Sequence, residues 1–153
     1  MLSPQTVTLD NFFEAGGKLS QVIPDYEVRQ EQLDMAKQVY HCFQNGGLMM
    51  VEAGTGIGKT LAYLIPALLW SMEIGERVMV STSSLHLQDQ ILNKDLPILK
   101  SVFEHNFKVA FFKGRENYIC LRKLHQHLEN EDLFTEQQET YEEIEQWIRK
   151  TDI

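Results

Sequence analysis

Several things are missing from this chain, and each absence narrows it. No uninterrupted apolar stretch nears the roughly 20 residues that a membrane-crossing helix needs, so no membrane span is expected. Two cysteines, Cys42 and Cys120, cannot build a disulfide framework in 153 residues, and a reducing cytoplasm is the default compartment. The opening MLSPQTVTLDNFF has neither the basic nor the apolar region of a secretory signal, so a cytoplasmic location is expected. Internal repeats and low-complexity tracts are absent, and 43% hydrophobic content excludes a disordered chain. The length suits one domain with a real core and is too short for two good-sized ones.

Positive charge is also in short supply. Lys and Arg number 14 against 22 Asp and Glu, a formal net charge of −8. The deficit is local. From 126 to 153 nine acidic residues face only Arg149 and Lys150, whereas residues 1–125 hold 13 acidic and 12 basic side chains. The acidity therefore belongs to the tail, and the body can still present a basic surface. Charge neither supports nor excludes DNA as a partner.

The hydrophobic pattern alternates between two periods. Leu33, Ala36, Val39, Tyr40 and Phe43 recur at helical spacing from about Gln30 to Gln44, and Asn45-Gly46-Gly47 stops them. Leu48 to Glu52 is a short apolar run read as a buried strand, followed by a Gly-rich turn and a helix from Lys59 to about Met72. Pro66 removes a backbone donor from that helix, and a kink is expected there. Arg77–Thr82 and Lys108–Phe112 read as two further strands, with helices at Ser84 to about Asn93 and about Asn117 to Leu128. Thr135 begins a capping box, and Tyr141, Ile144, Trp147 and Ile148 make one apolar stripe on the acidic helix after it. Strands alternating with helices imply a parallel α/β sheet.

One motif carries most of the chemistry. Ala53-Gly54-Thr55-Gly56-Ile57-Gly58-Lys59-Thr60 lies between an expected strand and an expected helix, which is the setting of a phosphate-binding loop. Glycines let backbone N–H groups turn inward as an anion nest, and the following helix adds its positive end. Lys59 is then the cation for the β- and γ-phosphates of ATP, and the Thr60 hydroxyl is the Mg²⁺ ligand. Ala53 stands where the usual pattern has glycine. The expected fold is a P-loop NTPase of RecA-like type, a three-layer α/β arrangement around a parallel sheet, present here as an incomplete first motor domain.

Ala-x-Thr-Gly-x-Gly-Lys-Thr resembles motif I of superfamily-two helicases. Tyr26, Arg29, Gln32 and Met35 resemble the Tyr-x-x-Arg-x-x-Gln-x-x-Met segment of the DinG/XPD family, whose glutamine reads adenine. An amide can serve adenine N6 and N7 together; a solvated helix residue is the plainer reading of Gln32, and Arg29 joins the nucleotide site by the same resemblance. Ser81–Leu92 resembles motif Ia, which implies DNA-backbone contact by Ser81, Thr82, Ser83 and Gln88. An ordinary helix N-cap cluster explains those hydroxyls equally well. Lys113–Cys120 resembles the family's Lys-Gly-Arg-x-Asn-Tyr-x-Cys segment, whose cysteine opens a four-cysteine [4Fe–4S] site. Cys120 is by that reading a possible cluster ligand, and by periodicity a buried residue at a helix start; Cys42 reads as a core residue.

The resemblance runs from about Gly16 to Leu124. It implies an ATP-dependent DNA helicase acting on single-stranded or forked DNA, with residues 1–125 in the first motor domain and 126–153 opening an inserted domain. No Asp-Glu-x-His follows the loop, so the Mg²⁺ is incompletely held and no group here positions an attacking water. Two rivals remain: another P-loop enzyme, such as a small-molecule kinase, and a non-catalytic nucleotide-binding module.

Overall fold

The computed structural model describes residues 8–103, 107–129 and 135–150, with the side chains of 127, 128 and 135–139 outside the description. These residues form two compact units, 1–109 and 110–153. In the first unit, α1 (Asp10–Phe13) and α2 (Lys18–Val22) precede two long helices, α3 (Gln30–Asn45) and α4 (Lys59–Ile74). Then come α5 (Leu85–Gln90), a π-helical turn (Ile91–Asp95) and α6 (Leu96–Val102). The second unit holds a 3₁₀ turn (Arg115–Asn117), α7 (Leu121–Leu128) and α8 (Thr135–Lys150).

α3 and α4 pack side by side because each carries an apolar face. Leu33 and Ala36 of α3 are buried with Leu61, Ala62, Leu64 and Ile65 of α4. At the far end Phe43 stacks on Trp70 with ring centroids 5.3 Å apart, and the Tyr40 hydroxyl donates to Glu73. α4 runs unbroken through the buried Pro66. Phe12 and Phe13 of α1, Leu19 of α2, and Leu96 and Leu99 of α6 join this core, with Phe12 against Phe103 at 5.1 Å. Lys37 of α3 ties back to Asp10 of α1 at 2.6 Å.

The expected parallel sheet is not there. Among the described residues no strand is formed, and 48–52, 77–82 and 108–112 carry no ladder bonds. Far from being buried, Leu48 and Met50 are fully exposed, and Met79 and Phe112 nearly so. The physical reason lies in where the hydrogen bonds go. A helix satisfies its backbone within its own turns, whereas a strand needs a partner strand along its edge and, in a parallel sheet, cover on both faces. Apolar runs flanked by turns have strand composition, but among the described residues only helices form. The helix expected from Asn117 starts instead at Leu121, after the 3₁₀ turn. The capping box at Thr135 lies among side chains outside the description.

Candidate phosphate-binding loop

The loop from Ala53 to Thr60 leads directly into the N-terminus of α4. Gly56 and Gly58 both take positive φ, 84° and 82°, and Gly58 is the left-handed N-cap of the helix. The first turn of α4, beginning at Lys59, supplies N–H groups that have no acceptor within a helix. Lys59 folds back over the loop. Its ammonium donates to the carbonyls of Ala53 at 2.9 Å and Gly54 at 2.5 Å. Burial pushes the Tyr63 phenol, one turn on, above its ordinary value, with a hydrogen bond to Thr60 pulling the other way.

α3 reaches the same loop from the side. Arg29, its N-cap residue, donates to the Gly56 carbonyl and pairs with exposed Glu27 at 3.4 Å. Gln32, three residues later, is 4% exposed and donates through Nε2 to the Gly58 carbonyl at 2.9 Å. The two side chains thus hold alternate glycine carbonyls, Gly56 and Gly58. Arg29, Gln32 and the residues 53–60, distant in sequence, come together at one place. Gln32 is not a solvated helix residue; it is buried against the loop.

The residues 81–88 stand differently. Ser84 caps α5, its Oγ accepting from Leu87 N at 3.3 Å. Thr82 donates to the Ser84 carbonyl at 3.1 Å, and Ser81 and Ser83 are exposed. Gln88 lies half-buried on α5. In the second unit Cys120 is the N-cap residue of α7, and the Tyr118 hydroxyl accepts from Lys113 N at 3.0 Å. The Lys123 backbone N–H, with Arg122 and Arg115 nearby, holds the Cys120 thiol below its ordinary range. Both cysteines are free, and no group of three metal-ligating side chains exists among the described residues. Two cysteines do not make the four-thiolate set of a [4Fe–4S] cluster, and no step is assigned to one. No described helix is long and apolar enough to cross a membrane.

Two further polar residues are fixed by contacts that local spacing does not encode, one beside the loop and one in the π-helical turn. The Tyr26 hydroxyl donates to the Phe13 carbonyl at 3.0 Å and reaches Gln32 Oε1 at 3.4 Å. Asp95, in the π-helical turn, is 6% exposed with Oδ2 lacking a hydrogen-bond partner. Burial raises its carboxyl above the ordinary range, while a Gln90 hydrogen bond and Lys94 pull the other way. Tyr26 stands in the Tyr-x-x-Arg-x-x-Gln spacing, but its contacts, like the burial of Asp95, depend on the tertiary fold.

Comparison with known proteins gives the site its family. The DEAD/DEAH box helicase family matches residues 31–150. The chain is 47% identical over 116 residues to the ATP-dependent DNA helicase YoaA of Haemophilus influenzae, covering 76% of this chain and 18% of that protein. It is 43% identical over 122 residues to the 3′-5′ exonuclease DinG of Bacillus subtilis, covering 78% of this chain and 13% of the relative. A further relative, the Escherichia coli ATP-dependent DNA helicase YoaA, is 42% identical over 114 residues, 74% of this chain and 17% of that one. The chain spans less than a fifth of the length of these relatives. No solved structure matches it. With the loop, its glycine carbonyls and these matches together, the chain belongs to the DEAD/DEAH box helicase family.

Proposed function

We propose that this chain is the ATP-binding part of a DNA helicase of the DinG/XPD type, moving 5′ to 3′ on single-stranded or forked DNA in repair or replication. The observation that carries the reading is the loop at the start of α4, with Lys59 on its carbonyls and Arg29 and Gln32 on its glycines. Its donor set suits a nucleoside triphosphate: one ammonium, one hydroxyl and a helix N-terminus. Bound ATP with Mg²⁺ supplies the phosphoanhydride whose cleavage powers movement. Lys59, now on the Ala53 and Gly54 carbonyls, would hold the terminal phosphates, and the Thr60 oxygen would be the group of this loop that holds the metal. Gln32 has spent one N–H on Gly58 and one lone pair on Tyr26, and the remaining pair are those left for adenine. Ser81, Thr82, Ser83 and Gln88 are assigned to the DNA backbone, which needs positioning hydroxyls and amides rather than base readers. Residues 1–125 are assigned to the first motor domain and 126–153 to the start of an insertion.

Hydrolysis needs a carboxylate and a water-positioning group that these 153 residues do not include in an Asp-Glu-x-His arrangement. Single-turnover ATP hydrolysis by the chain, with and without single-stranded DNA, tests the reading. Binding without turnover is the expected result. Rapid hydrolysis independent of DNA would favour a different P-loop enzyme, and absence of ATP binding would end the assignment.

A further inference from the structure

A line of polar contacts runs from α1 to the phosphate loop and passes through one hydroxyl. The Tyr26 O–H lies 3.0 Å from the Phe13 carbonyl and 3.4 Å from Gln32 Oε1, so its single proton is shared between two acceptors. The other end of the same amide, Gln32 Nε2, donates to the Gly58 carbonyl at 2.9 Å. Gly58 caps α4 immediately before Lys59, and its carbonyl also accepts from Ala62 N at 3.2 Å.

We propose that Tyr26 is a positioning residue of the nucleotide site, holding the Gln32 amide in the one orientation that lets Nε2 grip the Gly58 carbonyl. The inference rests on reading 53–60 as that site. A carboxamide has a donor end and an acceptor end of nearly equal shape, so packing alone does not decide which way it faces. Gly58 decides the orientation, since its carbonyl only accepts and so calls for Nε2. Tyr26, whose hydroxyl both donates and accepts, adds its proton to Oε1 in that orientation and so reinforces it. A flipped amide would set Oε1 against the Gly58 oxygen, two acceptors with no proton between them, in a place that is 4% exposed. The room for adjustment is small, since a Cβ built on Gly58 would collide with Nε2. Tyr26 itself is anchored, packed on the apolar core and tied to Phe13, which is 1% exposed. Burial also raises the Tyr26 phenol above its ordinary value, which keeps the donating proton in place.

A double-mutant cycle on the chain tests this, with ATP binding measured by calorimetry for the parent, Tyr26→Phe, Gln32→Ala and the double variant, and melting measured without nucleotide. Tyr26→Phe is expected to weaken ATP binding about 3- to 10-fold, the size of one net hydrogen bond. In the Gln32→Ala background the same change is expected to have no further effect, because its route to the loop is gone. An equal loss in both backgrounds, or no loss in either, would overturn the proposal and leave Tyr26 as a packing residue. If Tyr26→Phe melts far below the parent, the unsubstituted chain decides through hydrogen exchange of the Gln32 side-chain amide. Exchange much slower than that of the exposed Gln30 amide supports the oriented contact, and equal exchange overturns it. Lys59→Ala separates the layers: if that variant binds ATP like the parent, the site reading itself has failed; if it loses binding while Tyr26→Phe does not, only this inference has.

Discussion

At the scale of single residues, the loop depends on backbone shape as much as on charge. Gly58 holds φ at 82° with the Gln32 amide pressed against the space a side chain would take, whereas Gly75, the C′ residue of α4, holds φ at 78° with open space around it. Left-handed backbone alone costs an L-residue about 1–2 kcal/mol. Gly75→Ala is therefore expected to lose about that much stability and leave the loop intact. Gly58→Ala adds a collision on top of the strain, so its melting temperature is expected to fall further and ATP binding to fall with it. Equal melting of the two variants would mean that Gln32 does not press on Gly58. The glycine pattern was legible in the sequence because a P-loop repeats glycines at fixed offsets. The Tyr26 and Gln32 contacts were not, because Gln32 meets Gly58 across 26 residues of chain, and nothing in local spacing encodes that meeting.

Among the elements, the two long helices were legible, whereas the strands expected from the sequence do not form among the described residues. α3 and α4 run from Gln30 to Asn45 and from Lys59 to Ile74, within two residues of where the apolar spacing and the Asn-Gly-Gly stop put them. Their hydrogen bonds close within the element, so sequence suffices. The runs at 48–52, 77–82 and 108–112 have strand composition, yet composition supplies no ladder partner. The region after Ser84 gave a mixed result: the capped helix starts there as expected, then continues through a π turn to Val102 instead of stopping near Asn93. That π turn buries Asp95 with one carboxylate oxygen unpartnered. A folded-state pKa raised above the ordinary 3.8 means that the unfolded chain releases the proton first, so stability falls as pH rises through this window. Asp95→Asn removes the charge and keeps the shape. It is expected to melt above the parent at neutral pH, with the advantage closing as pH falls towards 3.8. Melting curves across pH check this, and a variant less stable at every pH would mean that the carboxylate has a favourable partner.

For the molecule as a whole, the balance of exposed surface is unusual. Leu48, Met50 and Met79 stand exposed in segments that form no strand, and exposed apolar segments of this kind are a template for pairing with other chains. The 153-residue chain is expected to self-associate with rising concentration, and Met50→Lys with Met79→Lys to reduce that association without lowering the melting temperature. Light scattering against concentration measures it, and a monodisperse monomer at high concentration would mean that these segments are covered. The central claim concerns the loop, and one measurement reaches it most directly: calorimetric titration of the chain and of Lys59→Ala with ATP and Mg²⁺. Lys59 is the cation at the start of α4 and rests on the loop's Ala53 and Gly54 carbonyls. The parent is predicted to bind, and the variant to bind more weakly by about 1–3 kcal/mol, the range for a charge-assisted hydrogen bond; equal affinity in the two proteins would contradict the account.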